Sequence, residues 1–194
     1  MGFEYSVYCV PYQGEPEAGD GYYVARLGDD LLVVIIDVLG HGPKAASLAR
    51  IIESKLEQLA CKDINWVVSD LHQQLIGSLG AAITVVYFDS ESQQAKGIGI
   101  GNTLVRQLGQ NYRSFAAQAG IVGELLPTLR PFEFRFEFDE TYLFTTDGVK
   151  ENIDPTEMEF ANGKALEYLS SFFVRNYSKP YDDATAIVVR YCDE

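Results

Sequence analysis

The chain has 194 residues, with 15 Lys and Arg against 28 Asp and Glu, a net charge of −13. That length predicts a single domain over residues 1–194, and 47% hydrophobic residues with 12% aromatics exclude global disorder. The acidic balance excludes nucleic acid and anionic membrane as favoured partners; no apolar run approaches the ~18 residues of a membrane span, and no basic segment leads into an apolar stretch at the start, so a cytoplasmic location is expected.

Residues 21–27 read as a strand, 28–30 as a hairpin turn, and 31–37 as its return strand. Residues 31–36 are apolar at every position, as in a strand buried on both faces. Gly40-His41-Gly42 ends that strand, and Pro43 suits the first position of a helix. Ala45, Leu48, Ile51, Ile52, Leu56 and Leu59 recur at helical spacing and predict its inward face. A second helix is predicted over 64–76 with Trp66, Val67, Leu71 and Leu75 inward. Strands follow at 81–88, 95–101, 103–108 and 112–118, with a turn at Gly109-Gln110-Asn111. Phe132, Phe134, Phe136 and Phe138 alternate with charged residues, the pattern of a half-buried strand. Another strand at 142–146, a helix at about 164–176 and a last strand at 184–191 complete the chain. This order predicts an α+β fold, two antiparallel sheets face to face with helices outside.

Several chemistries are excluded by what is missing. Cys9, Cys61 and Cys192 are scattered and odd in number, so they give no disulfide framework. A cysteine phosphatase needs an Arg six positions after its nucleophile, but Glu15 and Val67 stand there. His41 and His72 are the only histidines, too few for a three-histidine metal site. There is no Gly-x-x-x-x-Gly-Lys-Ser/Thr phosphate loop, and Gly97-x-Gly99-x-Gly101 lies in a strand pattern with no helix after it, so it is no dinucleotide loop. His41 reads as a loop residue helping to cap the following helix, and His72 as a helix-surface residue.

The acids tell more. Asp20, Asp37, Asp147 and the pair Asp182-Asp183 sit at predicted strand ends or tight glycine turns. A carboxylate at the end of a buried strand is costly unless paired or metal-bound. No Lys or Arg in these motifs pairs with them, and oxygen-rich clusters suit hard cations such as Mg²⁺ or Mn²⁺.

Gly19-Asp20, Asp37-Val38-Leu39-Gly40-His41-Gly42, Gly101-Asn102, Thr146-Asp147-Gly148 and Asp182-Asp183-Ala184-Thr185 resemble, in order, the motifs of the PP2C-like metal-dependent protein phosphatases. The likeness is strongest to the bacterial SpoIIE/RsbX-type branch and spans residues 20–189. The resemblance implies an αββα four-layer sandwich and a serine/threonine phosphoprotein phosphatase that uses a metal-activated water. It implies two Mn²⁺ or Mg²⁺ ions, with Asp37 bridging them and the Val38 carbonyl on one. Asp147 and an acid of the Asp182-Asp183 pair complete the ligands; the first of such a pair is the usual ligand, which favours Asp182. Asp20 binds or orients metal-bound water, so Asp37 and Asp20 are the catalytic candidates. The implied partners are phosphoserine or phosphothreonine proteins of stressosome or anti-sigma pathways. Gly101-Asn102 resembles a structural turn near the site.

Some features depart from the eukaryotic pattern. Leu39 stands where those members carry a proposed general-acid His, so that role does not transfer to His41. Their phosphate-binding Arg has no match; Lys44 and Arg50 read as solvated helix positions, with help to the phosphate as the alternative. No large insertion lies between Asn102 and Asp147, so substrate choice is expected to rest on short loops. The alternative reading is a catalytically inactive β-sandwich relative that binds a divalent ion or a partner. A degenerate binder is expected to have lost part of the Asp37, Asp147 and Asp182 set.

Overall fold

In the computed structural model, residues 2–109, 112–159 and 163–192 are described. The six apolar residues of the return strand, Leu31 to Ile36, are all at 0% exposure, because β3 (Asp30–Val38) lies in the middle of a sheet that is covered on both sides. Leu32, Val34 and Ile36 face helices; Leu31, Val33 and Ile35 face the other sheet. Each such side chain contributes about 1.5–3 kcal/mol through burial.

One sheet has the order β2-β3-β4-β5-β8, with β2 (Asp20–Leu27), β4 (Ala81–Asp89), β5 (Gln94–Ile100) and β8 (Phe132–Arg135). The other has the order β1-β10-β9-β6-β7, with β1 (Gly2–Val10), β6 (Leu104–Gln107), β7 (Arg113–Ala116), β9 (Thr141–Thr145) and β10 (Ala184–Cys192). All neighbours pair antiparallel. The two sheets share an aromatic core of Phe3, Phe88, Phe134, Phe136, Tyr142 and Phe144. Helices α1 (Gly42–Leu59) and α2 (Ile64–Leu75) pack on the outer face of the first sheet. Helix α4 (Leu166–Tyr177) packs on the outer face of the second, with the short α3 (Pro155–Glu159) nearby in sequence. The result is the expected α+β sandwich of four layers.

Local differences have physical causes. Ile51 and Trp66 are each 47% exposed, not inward. The inward stripe of α1 runs Ala45, Leu48, Ala49, Ile52, Leu56, Leu59, and on α2 Val68 takes the place given to Trp66. The β1 strand was not expected; its mixed sequence has no clean period, and its order comes from a nine-residue ladder against β10. β8 stops at Arg135 instead of 138: Phe136 is still buried, but Asp139 with φ 63° turns the chain. Of the turn expected at Gly109-Gln110-Asn111, Gln110 and Asn111 lie outside the described residues. Among the described residues, no helix is long and apolar enough to cross a membrane.

Candidate metal centre

The hairpin register places Asp20 directly opposite Asp37 across the β2–β3 ladder. Like charges facing each other across a ladder destabilise it unless something compensates. Asp37 leaves β3 just before its end, and its Oδ2 is buried with no hydrogen-bond partner. The second sheet brings Asp147 from the end of β9 and Asp182 from just before β10 to the same end of the sandwich. Burial first, then the negative charges of Asp147 and Asp182, push the Asp37 carboxyl up to about 7, with the Asp147 amide opposing the rise. Burial, then Asp37, hold the Asp20 carboxyl well above its ordinary value. Burial, then Asp147, raise Asp182. Acids from both sheets thus lie within one another's field.

Their neighbours fix where they point. The Thr146 hydroxyl donates to Asp20 Oδ2 at 2.8 Å and accepts from the Thr185 amide at 3.0 Å. The Asn102 amide nitrogen donates to Asp147 Oδ2 at 2.5 Å. Asn102 therefore does more than form a turn, and Thr146, expected only as part of the Asp147 motif, also fixes Asp20.

Asp183 stands apart from Asp182. It is 3% exposed, and its two oxygens accept the backbone amides of Tyr12 and Gly19, each at 2.7 Å. Gly19 precedes Asp20, so Asp183 ties the N-terminal loop to the site. A Cβ at Gly148 would lie 1.7 Å from the Asp183 carbonyl oxygen, which explains the glycine after Asp147. Val38, the backbone candidate, ends the β3 ladder opposite Ala81, whose amide donates to Val122 at 3.0 Å.

His41 occupies the N-cap position of α1, but its side chain does not cap. Its Nδ1 meets Glu15 Oε1 at 2.9 Å, and its ring packs on Tyr12 at 4.9 Å. The Glu15 carboxylate lies against Gly42, where a Cβ would be 2.6 Å from it, and supplies negative charge at the positive end of a helix with no acid in its first turn. Arg50 is engaged by Glu17 at 3.2 Å, and Lys44 is exposed. His72 is half-buried, not the helix-surface residue expected, and accepts the Gly123 amide at 2.9 Å, which links α2 to the loop between β7 and β8.

The donor set tests whether a metal fits. Among the described residues, no three Asp, Glu, His or Cys side chains form a group that could hold an ion by themselves. A hydrated hard cation such as Mg²⁺ takes one or two carboxylates and keeps several waters. The unpartnered Asp37 oxygen among mutually repelling carboxylates offers that kind of site.

Two five-stranded antiparallel sheets between helices, with acids from both sheets meeting at one end, have the architecture of the PP2C-type phosphatases. The chain belongs to the SpoIIE family: the family model, Stage II sporulation protein E, matches residues 28–192. It is 20% identical over 190 residues to the phosphoserine phosphatase RsbX of Bacillus subtilis (strain 168), covering 94% of this chain and 92% of that one. Among solved structures, a chain from the bacterial stressosome, described as a modular system adapted to control secondary messenger signaling, superposes with a TM-score of 0.90 at 24% identity, over 98% of this chain and 100% of that chain. RsbX in complex with magnesium superposes with a TM-score of 0.83 at 19% identity, over 97% of this chain and 94% of that chain. These structural likenesses show the fold.

Proposed function

We propose that the chain, as a single catalytic domain over residues 1–194, is a metal-dependent phosphatase of phosphoserine or phosphothreonine proteins, working in the cytoplasm. The observation that carries this is the buried, unpartnered Asp37 oxygen within the field of Asp147 and Asp182 and opposite Asp20. Membership in the SpoIIE family and the likeness to RsbX support the activity. The likeness to a stressosome chain supports substrates in stressosome or anti-sigma pathways.

Asp37 would hold both of two Mn²⁺ or Mg²⁺ ions, with the Val38 carbonyl, Asp147 and Asp182 completing the ligands. When bound, such a pair supplies the positive charge that a phosphomonoester dianion needs and lowers the pKa of the attacking water. The chain's own residues then have positional tasks. Asn102 orients Asp147 and Thr146 orients Asp20, each by one hydrogen bond. Asp20 would accept a hydrogen bond from the water at the site. Asp183 serves as a loop anchor in place of a ligand, since both its oxygens are engaged by backbone amides. His41 is held by Glu15 and Tyr12 and takes no part in proton transfer.

Hydrolysis of an aryl phosphate should require Mn²⁺ or Mg²⁺, stop with chelator and return when metal is restored. Full turnover in protein shown to be metal-free would overturn the reading.

A further inference from the structure

The loop after Asp147 carries a feature that the hydrolytic chemistry leaves unused. Val149 and Ser178 form an antiparallel bridge. The Lys150 amide donates to the Tyr177 carbonyl at 2.9 Å, and the Lys179 amide donates to the Gly148 carbonyl at 2.7 Å. This places Gly148 opposite Lys179 and Lys150 opposite Tyr177. Lys150 and Lys179 thus flank the bridge on the two paired segments. Both line a groove of about 310 Å³ together with Glu151 and Asn152. Neither ammonium has an ion-pair partner among the described residues.

The groove is anchored from beneath. Arg106, 1% exposed, donates from Nη2 to the Glu151 carbonyl at 2.8 Å. On the other side, Gly148 follows Asp147 directly and packs on the Asp183 carbonyl. The backbone that carries the two lysines is therefore held next to the carboxylate cluster of a chain whose net charge is −13. An anionic polypeptide approaching that chain is repelled almost everywhere, and a local pair of lysines is where it can settle.

We propose that the Lys150–Lys179 groove is a docking subsite for Asp or Glu side chains of the substrate that flank its phosphorylated residue. This rests on the phosphatase reading and adds a substrate class to it: phosphoproteins with an acidic flank.

The test compares phosphoserine peptides that differ only in two flanking positions, acidic in one, neutral in the second and basic in the third. The readout is the ratio of kcat/KM for acidic over neutral peptide, which cancels any change common to both. In the native protein that ratio should be roughly fivefold to tenfold at low salt, the yield of two exposed charge pairs, and should shrink as salt rises. Lys150→Gln with Lys179→Gln should bring it to about one. Lys150→Glu with Lys179→Glu should make the basic peptide the better substrate. A native ratio of one, or a ratio unchanged in the double variants, overturns the proposal. Fluorescence anisotropy of the labelled peptides is read in parallel and needs no turnover. If aryl phosphate is not hydrolysed with Mn²⁺, the phosphatase reading fails, and equal affinity for the acidic and neutral peptides then overturns the groove separately.

Discussion

Replacing Asp37 by Asn should change how the metal-free protein responds to pH. In the folded chain, burial and the charges of Asp147 and Asp182 raise the Asp37 carboxyl from 3.8 to about 7. The folded state therefore holds this proton more tightly than the unfolded state does. Its contribution to stability is complete below pH ~4, declines as pH rises to about 7, and stays lost above. The interval of roughly three pH units, at ~1.4 kcal/mol each, bounds the loss at ~4 kcal/mol; on the order of 2–4 kcal/mol is expected because Asp37 is partly solvated. A domain of this size moves by roughly 2–4 °C per kcal/mol. Melting curves in chelator at pH 5 and pH 8, on native and Asp37→Asn protein, read the effect of the Asp37 charge together with the relief it gives to the facing Asp20. The variant should gain on the native protein between pH 5 and pH 8 by about 5–10 °C. If the difference between the two melting temperatures is the same at both pH values, Asp37 is not the strained carboxylate described, and the electrostatic account of the site fails.

Asp183→Ala should lower the melting temperature by about 5–10 °C, since it leaves the buried Gly19 amide and the Tyr12 amide without their acceptor; added Mn²⁺ should not repair the loss in a melting experiment. Asn102→Ala should leave the melting temperature nearly unchanged and lower kcat/KM for aryl phosphate by roughly tenfold, because it frees Asp147 to rotate. His41→Gln should cost at most about tenfold in kcat, the scale of a modest positional effect; a loss as large as that of Asp37→Asn would give the histidine a chemical role that its bond to Glu15 argues against.

The sequence made some of this plain and concealed the rest for identifiable reasons. The unbroken apolar run of 31–36 required a doubly covered strand, and β3 is one. Pro43 marked the start of α1, and Asp20, Asp37, Asp147 and Asp182 stood out as carboxylates with no Lys or Arg within their motifs. The strand order was hidden, because β1 meets β10 across almost the whole chain length. Long range also concealed the division of labour in Asp182-Asp183. Asp183 is claimed by amides 164 and 171 residues away, which no local pattern reveals. Helical spacing alone gave the wrong side to Ile51 and Trp66, since each has apolar neighbours that fill the stripe without it. The pairing of His41 with Glu15 and the anchoring of the Lys150 loop by buried Arg106 are likewise contacts between distant segments.

The most direct test of the central claim is release of phosphate from a phosphoserine peptide, measured with Mn²⁺ present for native protein and for Asp37→Asn. If the Asp37 cluster holds the metal that drives hydrolysis, the native protein should turn over and the substitution should lower kcat by several orders of magnitude, roughly the loss expected when a metal-activated water disappears. Comparable rates from the two proteins would contradict the account.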